Sequence, residues 1–205
     1  MKKLESTWYN MAIVLTLISV VAGAALAYVN DLTAGPIKAI QEKNEQNAIK
    51  AVLCSDDAVV VKTEEVDGCT VYITEQGAAV KTEDPANGSF GGGLTIMVGL
   101  DQDFHVLGYN VLQSNETPGL GAKASTWFQK GQKGDIIGKS AGPLAVTKDK
   151  GEIDAITAST ITSRSFLRAV NHAAAAYSKA VGRKLDVNID TQSGASPQQE
   201  NKKHN

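Results

Sequence analysis

The sequence is poor in metal-holding residues and has no large excess of charge of either sign. Its 205 residues include two cysteines and three histidines, His105, His172 and His204. Two thiols cannot supply a four-thiolate zinc or iron–sulfur site, nor staple a disulfide-dense mini-protein. The histidines are nowhere paired at ligand spacing, so no metal site is expected. Twenty Lys and Arg against 22 Asp and Glu leave a net charge of −2. A nucleic-acid partner is not expected either, because phosphate binding needs clustered cations. The glycine run at residues 91–93 lacks both the G-x-G-x-x-G spacing of a dinucleotide fold and the G-K-[ST] of a P-loop. No titratable residues pair as base and nucleophile, so no catalytic residue is expected on this chain alone.

Charge is wholly missing from Ser6 to Asn30. Within that stretch, residues 11–29 are almost entirely apolar or small, and at about 1.5 Å per residue such a helix crosses the roughly 30 Å hydrocarbon layer of a bilayer. A cleavable leader has an apolar core of about 7–15 residues and a small-x-small site, which Ala25-Leu26-Ala27 supplies. The longer run, with Trp8-Tyr9 at its start and Tyr28 at its end, fits a permanent single-pass anchor better. Lys2 and Lys3 precede the span, so the excess of cations assigns residues 1–10 to the cytoplasm and the rest of the chain to the outer face of the cytoplasmic (inner) membrane.

Beyond the anchor, residues 31–53 read as a second, amphipathic helix with Ile37, Ile40, Ala48 and Val52/Leu53 on one stripe and Pro36 in its first turn. Short β-rich runs follow at residues 58–63, 69–74 and 78–82, punctuated by Asp67-Gly68 and Gln76-Gly77. Two longer strands, residues 94–100 and 105–113, are joined as a hairpin through residues 101–104. A short helix is expected at 123–130 with Trp127 and Phe128 as core anchors. A long helix is expected at 162–182, where Phe166, Ala169/Val170, Ala173, Ala176/Tyr177 and Ala180/Val181 form a buried stripe. Residues 191–205 are polar and read as a disordered tail. The expected architecture is α+β: one transmembrane helix, then a single domain over residues 31–190.

Three segments stand out chemically. Asp154 is followed by five hydroxyl residues between Thr157 and Ser163, just ahead of the last helix. Such residues cap a helix N-terminus, but the free N–H groups and positive dipole end there also favour an anionic phosphate. Pro118-Gly119, within Asn115-Glu-Thr-Pro-Gly-Leu-Gly121, is the signature of a type II turn. That turn either simply ends a strand or lets backbone N–H groups approach a planar ligand, with the Glu116 carboxylate beside it. Phe90-Gly-Gly-Gly-Leu94 reads as a bend before a strand or as a second close approach to a ligand.

Together, FGGGLTIMVGLDQDFHVLGYNVLQSNETPGLG and DAITASTITS resemble the covalent FMN-binding domain family. The likeness is greatest to the G subunit of the Rnf electron-transport complex, with the C subunit of the sodium-translocating NADH:quinone reductase as its relative. It covers most of the chain, from the anchor to the D-x-x-[ST]-x-x-T target sequence. It implies that a flavin transferase, recognising Asp154, moves FMN from FAD onto Thr160 through a phosphoester bond. The family usually has Gly-Ala ahead of the modified Thr, where this chain has Ala158-Ser159. The resemblance further implies flavin contacts from Glu116, Thr117, Gly119, Leu120, Gly121, Lys123, Thr157, Ala158, Ser159 and Thr162. A tether suits a domain outside the cell, where a cofactor held only by contacts is lost by dilution.

The function implied is an electron-transfer component of a membrane-bound, ion-translocating ferredoxin:NAD+ oxidoreductase, working beside other membrane and iron–sulfur subunits. The C subunit of the quinone reductase is the near alternative. A membrane-anchored binding or scaffold domain without flavin is the alternative of another class. Cys54 and Cys69 are left either paired or free by their spacing.

Overall fold

The computed structural model describes residues 7–55, 58–86 and 88–185. Lys2, Lys3 and the polar tail at 191–205 lie outside the described residues. The chain divides into two units, Met1–Asn44 and Glu45–Asn205.

The first unit is helical. Helix α1 (Trp8–Val52) runs 45 residues without a break, and it is long and apolar enough to cross a membrane. Its apolar side chains, among them Ile13, Leu15, Leu17, Ile18, Val20 and Val21, are exposed. The two helices expected from the sequence are therefore one. No glycine cap or stop signal separates Val29 from Leu32, and the Thr33 hydroxyl donates to the carbonyls of Val29 (2.8 Å) and Asn30 (3.2 Å). Pro36 sits inside the helix instead of opening one. Ile37 and Ile40 remain exposed, and of the expected stripe Ala48, Val52 and Leu53 are buried, joined by Ile49, which the stripe did not include.

The second unit is built on a five-stranded antiparallel sheet in the order β1 (Lys62–Val66), β2 (Cys69–Ile73), β3 (Gly77–Glu83), β4 (Leu94–Asp101) and β5 (Val106–Ser114). Every neighbour in space is a neighbour in sequence, so tight connections suffice. The first strand starts four residues later than its apolar run predicts: in residues 58–61 the Val61 N–H alone bonds across to Ile73.

Strand alternation sorts the two faces. Val71, Ala78, Val80, Ile96, Val98 and Leu100 point into the larger core, under α3 (Thr160–Ala180). Ala79 and Met97 point the other way and meet Ala48, Ile49, Val52 and Leu53 from the end of α1. Both faces of β3 and β4 are thus covered, which explains the run without polar side chains at 96–100. The α1 end approaches closely because Gly99 and Gly108, paired across β4 and β5, leave room; a Cβ on Gly99 would collide with the Val52 carbonyl. At the same end Glu45 accepts from the Tyr72 hydroxyl and pairs with Lys81 at 3.2 Å.

Helix α3 starts two residues earlier than expected and carries the core. The Phe166 ring stacks on Phe128 with centroids 4.3 Å apart and takes the Tyr109 ring edge-on at 4.8 Å. Phe128 follows a short helical stretch, a 3₁₀ turn at Gly121–Lys123 running into α2 (Ala124–Trp127). The Tyr109 hydroxyl locks that stretch by donating to Ala124 O at 2.8 Å and accepting the Phe128 N–H at 3.2 Å.

Candidate functional site

The three segments singled out by sequence meet at Glu116. This residue is 7% exposed. One carboxylate oxygen accepts the Gly91 N–H at 3.3 Å, and the other accepts the Thr162 hydroxyl at 3.0 Å. One side chain thus ties together the glycine-rich loop, the Pro-Gly turn and the first turn of α3. The close fit explains two glycines: a Cβ on Gly91 would enter the backbone of Asn115, and one on Gly121 would meet the Glu116 carboxylate and the Thr162 hydroxyl. The turn has the geometry its sequence predicts. Gly119 has φ +80°, and the Leu120 N–H closes the turn on Thr117 O at 3.1 Å.

At the head of α3, capping differs from the simplest reading of the hydroxyl-rich segment. Ser159 occupies the N-cap position but makes no side-chain cap bond. Ser163 acts instead: its hydroxyl donates to Ser159 O (3.0 Å) and accepts the Ile156 N–H (2.9 Å). The first intrahelical bond runs from Ser163 N–H to Ser159 O, so the N–H groups of Thr160, Ile161 and Thr162 precede the helical ladder. Ala158 turns the chain into the helix at φ +61°, the left-handed region where glycine is at ease and alanine is strained. This conformation gives a physical reason for glycine as the usual residue of the related motif.

These elements enclose a cavity of about 370 Å³, lined by Phe90, Glu116, Thr117, Leu120, Gly121 and residues 158–162. Of the residues expected at a cofactor, Glu116, Thr117, Leu120, Gly121, Ala158, Ser159, Thr160 and Thr162 form its wall. Gly119, Lys123 and Thr157 lie outside the lining, and Lys123 and Thr157 are exposed. Asp154 is exposed as well, and its carbonyl accepts the Trp127 indole N–H at 2.8 Å. Three further residues reach the site beyond those expected from the sequence. Phe90, 73% exposed, and Ile161 add apolar wall. Lys148 donates to the Thr160 hydroxyl at 3.2 Å from a turn twelve positions upstream. The glycines beside Phe90 hint at its role; nothing local signals Lys148.

Charge near the site is mostly paired. The buried Arg168 guanidinium grips Asp84 through two bonds (3.0 and 2.7 Å), and Asp84 also accepts the N–H groups of Ala86 and Gly88, which anchors the approach to the glycine-rich loop. Burial pushes the Asp84 carboxyl up, but Arg168, Ser165 and the Ala86 N–H outweigh it and hold it below the usual carboxylate range.

The cysteines are both free. Cys54 is exposed, whereas Cys69 is buried with its sulfur 3.2 Å from the Thr82 hydroxyl and 3.4 Å from His172 Nδ1. Among the described residues no group of three or more His, Cys, Asp or Glu is placed to hold a metal.

Comparison with known proteins adds the family. The FMN-binding domain family matches residues 89–175, a stretch that contains every wall of the cavity. The G subunit of the Na(+)-translocating ferredoxin:NAD(+) oxidoreductase complex of Acetobacterium woodii is 33% identical, over 86% of this chain and 96% of that protein. The proton-translocating counterpart of Clostridium ljungdahlii is 32% identical over 78% of this chain and 85% of its own length. The G subunit of the ion-translocating oxidoreductase complex of Shewanella loihica is 30% identical, over 81% and 87%. With an apolar N-terminal helix and likeness along nearly the whole of these relatives, the chain is a membrane-anchored protein that belongs to the G-subunit family of ion-translocating oxidoreductase complexes.

Proposed function

We propose that this chain is the electron-transfer component of such a complex and carries FMN as a phosphoester on Thr160. The observation that carries this reading is the position of Thr160: it ends the D-x-x-T-x-x-T sequence and stands in the cavity wall at the head of α3. The residues present suit the group. A volume of about 370 Å³ falls within the range of small-molecule and cofactor sites. Phe90, Leu120 and Ile161 offer apolar surface for a flat ring, while the unspent N–H groups at the helix head and the Lys148 ammonium suit a phosphate. FMN supplies a carrier that accepts and releases one or two electrons. The protein's part is to fix that carrier in place, shield it from water and set its polar surroundings.

On this reading the domain faces outward, held by the single span of α1, with Lys2 and Lys3 on the cytoplasmic side. Asp154, exposed ahead of the helix, is where a flavin transferase reads the target. Electrons pass to and from cofactors on other membrane and iron–sulfur subunits, which bind the donor and the acceptor. Membership of the G-subunit family favours this complex over the quinone reductase.

The test is co-expression with a flavin transferase, followed by a denaturing gel viewed under ultraviolet light and by intact mass. A fluorescent band is expected, with the mass of one esterified FMN, and both vanish in Thr160→Ala while surviving in Ser159→Ala. Bare polypeptide from wild type beside an active transferase leaves a tethered domain without flavin, and loss only in Ser159→Ala moves the attachment.

A further inference from the structure

The cation that reaches Thr160 belongs to a loop built to deliver it. Residues 145–153 fold back on themselves: the Thr147 N–H bonds Ile153 O (2.9 Å), the Ile153 N–H bonds Ala145 O (3.2 Å) and the Gly151 N–H bonds Val146 O (3.0 Å). Lys150, at φ +63°, closes the 3₁₀ turn Thr147–Asp149 at the tip. Arg164, one helical turn beyond Thr160, then clamps that tip to α3 through paired bonds to Asp149 of 2.7 and 2.6 Å. The Arg164 bonds hold the Asp149 carboxyl below its ordinary range, so the clamp stays charged at neutral pH. With Asp149 matched by Arg164, the neighbouring ammonium of Lys148 extends to the Thr160 hydroxyl.

We propose that Lys148 is the positioning residue for the phosphate at Thr160, orienting the bare hydroxyl and then standing as counter-charge to the esterified phosphate. This rests on the reading of Thr160 as the attachment point. A phosphodiester keeps one negative charge, and an oxygen bonded to phosphorus at Thr160 lies next to the hydroxyl position that Lys148 already contacts. Lysine serves phosphate as a compact point charge, without the two-pronged geometry of arginine. The loading reaction balances without this residue: the Thr160 Oγ–P bond forms as the pyrophosphate P–O bond of FAD breaks, AMP leaves with the electron pair, and the hydroxyl proton is lost. Lys148 holds the oxygen for that exchange; it does not take part covalently.

The experiment compares wild type with Lys148→Met, Lys148→Arg, Lys150→Met and Thr160→Ala in the full chain, incubated with flavin transferase and FAD. Intact mass follows loading over time, and the ³¹P chemical shift of the loaded protein reports on the phosphate's surroundings. Lys148→Met is expected to load roughly tenfold more slowly, the scale of one charge-assisted hydrogen bond. Its ³¹P signal is displaced, Lys148→Arg recovers most of the rate, and Lys150→Met behaves as wild type although it loses the same charge from the same turn. Lys148 is exposed, and thermal melts matching wild type exclude misfolding as the cause. Wild-type loading and an unmoved ³¹P signal in Lys148→Met overturn the proposal while the Thr160 assignment stands. Equal slowing in Lys150→Met also overturns it, in favour of a diffuse field. Loading that persists in Thr160→Ala sinks the assignment and this inference together.

Discussion

Glu116 and Thr162, 46 positions apart, share a buried hydrogen bond of 3.0 Å, and the same carboxylate holds Gly91 from the opposite side. Removing it leaves a hydroxyl and an N–H without their acceptor. Each such orphan costs about 1–3 kcal/mol when buried. Glu116→Ala should therefore lower stability by a few kcal/mol in chemical denaturation and open the cavity wall, so that flavin loading falls. Glu116→Gln keeps an acceptor oxygen and should lose less on both measures.

Ala158 at φ +61° predicts opposite effects for two small changes. Ala158→Gly relieves the left-handed strain, partly offset by a freer unfolded chain, for a net gain of about 0.5–1 kcal/mol. Ala158→Val places a β-branched side chain where it is least tolerated and should cost about 1–3 kcal/mol. Paired urea midpoints decide it: a valine variant as stable as the glycine variant contradicts the conformation.

The Asp84–Arg168 pair should govern acid stability. Because the folded carboxyl lies below its ordinary value of 3.8, its contribution is complete above that value and disappears as pH falls through the lower folded one. Asp84→Asn removes the counter-charge facing a buried guanidinium, with a cost of about 3–5 kcal/mol at neutral pH. The variant's denaturation midpoint should also fall less steeply than wild type's on acidification below about pH 4.

The two thiols should part company under an alkylating reagent. Burial pushes the Cys69 thiol up, away from the reactive thiolate, and Cys69 is 1% exposed. One label per folded chain at neutral pH, mapping to Cys54, is the expected mass-spectrometric outcome. A second label appears only on unfolding.

The parts of this site that are local in sequence are legible in it. The Pro118-Gly119 turn, the hydroxyl-rich head of α3 and the hairpin of β4 and β5 each follow from a few adjacent residues whose backbone preferences are strong. What brings them together is not. Glu116 shows itself as a carboxylate beside a turn, but its partners at Gly91 and Thr162 exist only once the sheet and α3 are packed. Lys123 is close to the turn in sequence and stands outside the cavity lining, whereas Lys148 reaches Thr160 through a loop whose geometry depends on a clamp from the helix. The fusion of two expected helices into α1 has a related cause. Pro36 reads locally as a start signal, yet the flanking residues carry helical structure straight through it.

The meander order of the sheet bears on when this molecule becomes competent. Five strands in sequence order can pair with their neighbours as the chain emerges, before α3 arrives to cover the larger core. The wall that contains Thr160 belongs to α3, the last of the described elements to arrive. Until α3 docks over the finished sheet, Phe90 and the Pro-Gly turn face an open slope with no far side. On the proposed reading of Thr160, loading with flavin becomes a checkpoint on complete translation and folding: a truncated or half-assembled copy presents no hollow to fill and is expected to stay colourless.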